Sequence, residues 1–341
     1  MKYAIIGCGE MGHAHAKAYR NLGAEIVAVC DADSKRGTEL ANSIKSCYEP
    51  NFETVLKKYR PDGISICTPP FHHLPALQLA SHYPVSVLCE KPFVQSKEEI
   101  ILAFNAARSI RGAFRIGFKF RYEALYREAR QIIQSNRIGK VQYVFISHFQ
   151  PIAPRIWKMK TGIVRELLVH ACDISCCFMD DFPTHISLDA QSLIPEFEGD
   201  DRAVMTLYFT DNRKAIIAGG YMPGFSRDPS RLAKNDIAFQ AVGENGTISA
   251  LRNGEVTIID QSGVCTYHPD ESKTAFDYEL EEFEQAILGK SDTGASLRES
   301  VASQLIIERA YEIRNSGTKH PIEIPDVYQS CFGSWARRYH E

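Results

Sequence analysis

Lys2-Tyr3-Ala4-Ile5-Ile6-Gly7-Cys8-Gly9-Glu10-Met11-Gly12 runs from a short apolar stretch into Gly-x-Gly-x-x-Gly and then into a helical pattern. That order is what a backbone needs to approach a pyrophosphate. Gly7 permits the tight turn, Gly9 removes a side chain that would stand before the phosphates, and Gly12 lets the helix lie close to the strand. The anion would rest on unpaired N–H groups around Glu10 and Met11, at the positive end of the helix dipole. A second apolar strand, Glu25–Cys30, leads into Asp31, nineteen residues beyond Gly12. A dinucleotide-binding unit places a carboxylate there to accept the adenosine ribose hydroxyls.

From residue 1 to about 120 the pattern continues, with apolar runs at 2–6, 25–30, 63–67, 85–89 and 113–117 alternating with helical ones. Such alternation predicts right-handed crossovers and a parallel sheet, with ligands bound beyond the carboxyl ends of the strands. Two turns fall at that rim beside the glycine loop. Thr68-Pro69-Pro70-Phe71-His72-His73 follows the third strand and Glu90-Lys91-Pro92 the fourth.

Beyond residue 120 the rhythm changes. A helix at 123–134 and a long strand at 140–149 precede a basic, aromatic loop containing Arg155, Trp157, Lys158 and Lys160, then a helix at 164–179. Strand-like runs follow in succession at 186–193, 203–210, 215–221, 237–242, 247–251 and 255–260. They predict a large, mainly antiparallel open sheet with helices on one face. The other face needs a cover, most economically another subunit. The expected organisation is an NAD(P)-binding Rossmann domain over 1–120, an α+β domain for substrate and oligomerisation over 121–325, and a tail over 326–341 whose Phe332, Trp335 and Tyr339 are aromatic enough to dock on something.

A chain of 341 residues with net charge -3 gives no global reason to expect nucleic acid or acidic membrane as a partner. No stretch approaches 18 uninterrupted apolar residues and no export signal opens the chain, so a cytoplasmic protein is expected. Several of the ten cysteines occupy apolar strand patterns, as small hydrophobes do. Cys172, Cys176 and Cys177 crowd one helix, yet no Cys-x-x-Cys spacing occurs, and no metal site is expected.

The chemistry concentrates at two places. Glu166, His170 and Asp173, four and then three residues apart, fall on one face of a helix. A carboxylate one turn from a histidine can orient the ring for acid-base work on an alcohol proton. Lys91, at a strand end, can polarise a substrate oxygen, with Glu90 nearby to hold the ammonium. Hydride transfer belongs to the cofactor, and the protein supplies orientation, a proton acceptor and charge stabilisation.

With these residues in place the chain resembles the glucose-fructose oxidoreductase / inositol dehydrogenase / rhizopine catabolism family, Gfo/Idh/MocA, over nearly its whole length. The resemblance rests on the Gly7 to Gly12 loop, Thr68-Pro69 with His73, Glu90-Lys91-Pro92, Gly117-Phe118 with Arg121, Tyr122 and Tyr126, and the run from Glu166 through His170 to Asp173. It implies a Rossmann domain beside an open-sheet domain, assembled as a homodimer or homotetramer through that sheet. It implies Lys91 and His170 as catalytic residues. It further implies cofactor contacts at Thr68, Pro69, His73, Glu90 and Lys91, and substrate contacts at Arg121, Tyr122, Trp157, Lys158 and Asp173. The inositol dehydrogenase branch has an aspartate where this chain has Glu166, and many members have Trp-Arg where Trp157-Lys158 stands.

The expectation is an NAD(P)-dependent dehydrogenase acting on a secondary hydroxyl of a sugar, cyclitol or related polyol. Asp31 favours NAD, since its charge repels a 2′-phosphate, whereas Lys35 and Arg36 leave NADP open. Two rivals are a non-catalytic nucleotide-sensing protein and a reductase of a non-carbohydrate carbonyl or imine.

Overall fold

The computed structural model describes residues 1–151, 161–195, 197–222, 237–252, 254–291 and 293–337. Trp157 and Lys158, together with Arg155, Lys160 and Tyr339, lie outside the described residues. By packing, the chain divides into two units. The first is Met1–Tyr122 with Ser272–Gln304, and the second Glu123–Glu271 with Leu305–Glu341. The segment Ser272–Gln304, which the sequence reading places in the second domain, therefore packs with the first unit.

In the first unit six strands, β1 (Lys2–Ile6), β2 (Glu25–Cys30), β3 (Cys47–Tyr48), β4 (Gly63–Ile66), β5 (Ser86–Glu90) and β6 (Phe114–Gly117), pair in the order β3-β2-β1-β4-β5-β6. Every pairing is parallel. The sheet order reverses at β1 and β4, the switch point beyond whose carboxyl ends ligands bind in such sheets. Its strands are apolar throughout because helices cover both faces of a parallel sheet. Tyr3, Ile5, Val29 and Leu88 from the sheet meet Tyr19 of the first helix. Leu280 and Phe283 of the helix Ala275–Ile287 join the same core, and that burial holds the returning segment to this unit.

The second unit is built on nine strands. These are β7 (Val141–Pro151), β8 (His185–Gln191), β9 (Arg202–Tyr208), β10 (Lys214–Met222), β11 (Ile237–Gly243), β12 (Gly246–Leu251), β13 (Val256–Asp260), β14 (Gly263–Tyr267) and β15 (His320–Pro321). They pair in the order β14-β13-β12-β11-β7-β10-β9-β8-β15, all antiparallel except β7 with β10. Side chains alternate between the faces. Val144, Ile146, Met205, Leu207, Ile217 and Ile258 are buried on one face. Tyr143, Phe145, Val204, Ile259 and Val264 are exposed, and the strand register places them together on the other.

The C-terminal segment docks on the second unit itself. Phe332 packs edge-on to Phe182 at 5.0 Å between ring centroids, and the buried Trp335 donates its indole N–H to Asp180 at 3.3 Å. Among the described residues no helix is long and apolar enough to cross a membrane.

Candidate functional site

The glycine loop connects β1 to the helix Glu10–Asn21. Gly7 has φ +99°, and a Cβ there would meet the Cys67 carbonyl carbon and the Thr68 nitrogen at 2.7 Å. At Gly12 a Cβ would overlap the Gly7 carbonyl oxygen. Gly9 differs, for a Cβ at this position would meet nothing within 4 Å. Backbone packing therefore demands Gly7 and Gly12, while the open space at Gly9 suits a ligand held against the start of the helix. Gly9 supplies no side-chain cap to that helix, whose positive dipole end suits an anion.

Asp31, just past β2, is tied to this loop. Its Oδ2 accepts the Cys8 N–H at 2.7 Å, and its Oδ1 accepts the Asp33 N–H at 2.8 Å and Arg36 at 3.0 Å. Burial works to raise its pKa, but the two backbone bonds and the Arg36 charge outweigh it and hold the carboxyl below the ordinary value. Asp31 is thus an anion at neutral pH. The neighbouring Cys8 and Cys30 thiols are pushed up to about 12, chiefly by burial, so neither serves as a thiolate.

The two rim turns are pinned to each other by His73. This buried imidazole has Nδ1 2.9 Å from the Pro92 carbonyl oxygen and Nε2 2.9 Å from that of Thr68. Burial lowers its pKa, so the ring is neutral at pH 7 and donates to one of the two carbonyls. Its geometry is that of a brace between the Thr68-Pro69 and Lys91-Pro92 turns, with both nitrogens facing protein carbonyls. Thr68, by contrast, keeps a buried hydroxyl with no partner among the described residues.

Glu90 closes β5 and Lys91 follows it. The Glu90 carboxylate accepts the Lys91 backbone N–H at 3.3 Å and lies 3.1 Å from His15 Nε2. Arg121 and Tyr122, expected at the substrate, are engaged in the interior of the first unit. The Tyr122 hydroxyl donates to Glu282 at 3.4 Å, and Glu282 is paired with Arg115 at 3.1 Å. Glu299 is buried, which opposes its ionisation, yet the Arg121 and Arg298 charges bring its pKa down to about 2. Both side chains join sheet and returning segment, a use that a linear reading does not reveal.

In the second unit Val164–Leu168 is a π-helical turn running directly into the helix Val169–Met179. Such turns are rare and often mark functional positions. Glu166, His170 and Asp173 are only 3%, 4% and 3% exposed. They are therefore not a solvated polar face, and three buried ionisable groups on one short stretch are costly unless they serve a purpose. Thr161 donates to Glu166 Oε1 at 2.9 Å, and Asp200, which the sequence reading did not single out, accepts the Val164 N–H at 2.9 Å. Gly162, with φ +81°, leaves the space that the Asp200 carboxylate fills. Arg165 is used within the unit, bonded to Glu308 at 2.7 Å and lying over Tyr311.

Residues 1–118 match the model of an oxidoreductase family with an NAD-binding Rossmann fold, GFO_IDH_MocA, and residues 126–249 match the GFO/IDH/MocA C-terminal domain. The chain belongs to the Gfo/Idh/MocA family. It is an oxidoreductase whose first unit is the NAD-binding domain. Similar proteins match most of the chain. An inositol 2-dehydrogenase of Rhizobium meliloti is 23% identical over 95% of this chain and 99% of its own. A UDP-N-acetylglucosamine 3-dehydrogenase of Acidithiobacillus ferrooxidans is 22% identical over 92% and 96%. Among solved structures, an oxidoreductase from Agrobacterium radiobacter in complex with NAD+, L-tartaric acid and magnesium superposes with TM-score 0.84 at 18% identity, covering 94% of this chain and 98% of that one.

NAD fits the residues present. The open space at Gly9, the helix start beside it, the Thr68 hydroxyl without a partner among the described residues and the ionised Asp31 are what a pyrophosphate, a polar cofactor edge and a ribose diol require of the first unit.

Proposed function

We propose that the protein is an NAD-dependent dehydrogenase of a secondary hydroxyl on a sugar, cyclitol or related polyol, working also as the reductase of the matching ketone. The observation that carries this reading is the buried set Glu166, His170 and Asp173 in an oxidoreductase whose β5 ends on Glu90-Lys91. Relatives named as inositol, apiose and UDP-N-acetylglucosamine dehydrogenases support the substrate class.

The roles follow from the chemistry of the side chains. NAD, when held by the glycine loop and Asp31, would supply the hydride acceptor. His170 takes the hydroxyl proton as general base and returns it in the reverse direction. The Lys91 ammonium stabilises the oxygen as negative charge grows on it. Glu166, fixed by Thr161, orients His170, and Asp173 binds a substrate hydroxyl. Gly7, Gly9, Glu10, Met11 and Gly12 hold the pyrophosphate, Asp31 the adenosine ribose, and Thr68, Pro69 and Glu90 shape the rim, with His73 bracing it. Trp157 and Lys158 keep their assignment to the substrate from sequence alone. The first unit is the cofactor domain and the second the substrate and oligomerisation domain.

The exposed row Tyr143, Phe145, Val204, Ile259 and Val264 is too apolar to remain in water, and a second copy covering it makes a homodimer or homotetramer. All ten cysteines are free thiols, which suits a reducing, cytoplasmic compartment. A panel of inositols, pentoses, hexoses and sugar acids, assayed for NAD reduction by absorbance, tests the assignment. Turnover of at least one polyol that is lost in both Lys91→Ala and His170→Ala is the expected result. Reduction of non-carbohydrate ketones or imines alone would replace the substrate class.

A further inference from the structure

His15 of the first helix, Glu90 at the end of β5 and Glu279 of the helix Ala275–Ile287 meet in the interior of the first unit. Each offers one nitrogen or oxygen atom, and these atoms lie within 4.8 Å of one another. The residues are 0%, 5% and 2% exposed. Glu90 is bonded to His15 and to the Lys91 backbone N–H. Neither carboxyl oxygen of Glu279 has a hydrogen-bond partner among the described residues, nor has His15 Nδ1.

Two carboxyl groups so close in an interior do not both ionise. Burial first, and then the charge of Glu90, drive the pKa of Glu279 well up. Of the other charges facing it, Lys119 favours the ionised form and Glu282 opposes it. Burial also acts against Glu90, but its bond to His15 and the Lys91 ammonium hold its pKa below the ordinary value.

We propose that Glu90 and Glu279 carry one proton between them, resident on Glu279, so that with His15 they form a buried positioning cluster whose one carboxylate, Glu90, holds the Lys91 backbone N–H. With Glu279 neutral, Glu90 remains the one carboxylate, and it anchors the Lys91 backbone N–H. The same three side chains could in principle ligate a divalent cation. The geometry points away from that: His15 Nε2 already faces Glu90, and Nδ1 lacks the outer hydrogen-bond partner that metal-bound imidazoles have.

The test compares thermal midpoints of the wild type and Glu279→Gln from pH 5 to pH 8. Glutamine has the shape and neutrality of the protonated acid. Unfolding the wild type above the ordinary carboxylate range releases a proton that the folded state holds, so its stability falls with rising pH relative to the variant. The midpoint of Glu279→Gln minus that of the wild type should grow by about 2 °C or more over this range. A difference independent of pH overturns the proposal. So does a stoichiometric divalent metal in the purified wild type that Glu279→Gln loses.

The tie to Lys91 rests on the proposed function and is read kinetically on whichever polyol turns over. Glu90→Gln should lower kcat about 10-fold or more, while NAD binding, followed by calorimetry, changes little. Glu279→Leu should lower kcat, and Glu279→Gln should recover most of the loss; no recovery refutes the proton-holding role. If no polyol reacts, the functional reading fails while the pH comparison still decides the shared proton. Should Glu279→Gln not fold, infrared spectra of the wild type and an Asp200→Asn variant at pH 7 decide it, since Asp200 is another buried acid whose pKa is raised. A carboxylic acid band that survives in Asp200→Asn supports the proposal, and its absence overturns it.

Discussion

Asp31 is the residue whose replacement separates stability from cofactor recognition most cleanly. In Asp31→Ala the buried Cys8 N–H loses its acceptor, a cost of about 1–3 kcal/mol, and the partly exposed Asp33 N–H loses a weaker one. The Arg36 pair adds little, because the Arg36 side chain is 57% exposed and water screens it. About 2 kcal/mol of destabilisation is therefore expected in urea unfolding at pH 7. Asp31→Asn keeps an acceptor oxygen for Cys8 and loses the charge together with the second oxygen, which accepts from the Asp33 N–H and Arg36. Because the folded-state pKa is lowered, the contribution of the ionised carboxylate is complete above the unfolded value near 3.8 and is lost as pH falls through the lower folded value. The stability gap between wild type and Asp31→Asn should hold from pH 7 to 5 and close in strong acid. Cofactor binding should respond further. Charge-assisted bonds to the ribose contribute about 1.5–3 kcal/mol, so calorimetry should find NAD bound about 10- to 100-fold more weakly by Asp31→Ala. NADP should gain relative to NAD, since Arg36 is released to meet a 2′-phosphate. An unchanged NAD affinity in a folded Asp31→Ala protein would refute the ribose assignment.

The two glycines of the loop should part company. Gly9→Ala should fold with near wild-type stability, since its Cβ meets nothing in the protein, yet bind NAD weakly by calorimetry; Gly12→Ala should be destabilised outright in thermal unfolding by overlap with the Gly7 carbonyl. Glu166→Gln should lower kcat more than Glu166→Asp, which keeps the charge; if Glu166 instead binds a substrate hydroxyl, KM would rise with kcat held. Trp335→Ala should cost about 3–5 kcal/mol in denaturant unfolding through lost burial and packing on Phe332, and full stability would show the C-terminal segment to be dispensable.

The parallel sheet was legible because strands covered on both faces read as unbroken apolar runs, and β1, β2, β4, β5 and β6 lie within a residue or so of their expected places. β3 was not, for its two residues are too short to carry a period, and neither was β14, whose side chains on both faces are exposed. The helix over 164–179 was found, but its burial on all sides was hidden: the spacing of Glu166, His170 and Asp173 marks a face without saying what covers it. Local pattern also says nothing of which sheet a late segment joins. Glu279 and Glu282 are buried with His15 and Tyr122 because Leu280 and Phe283 carry their helix into the first core. His15 itself looks like any helical histidine, and only the structure brings it to Glu90.

The most direct measurement is steady-state oxidation of a polyol panel with NAD by the wild type, Lys91→Ala and His170→Ala, accompanied by calorimetric titration of each protein with NAD. The account predicts at least one polyol oxidised by the wild type, kcat lower by ~10²–10⁴ in each variant, and NAD affinity changed far less, since backbone groups at the glycine loop hold the pyrophosphate. Near wild-type turnover in Lys91→Ala or His170→Ala, or a wild type that binds NAD and oxidises no polyol, would contradict it.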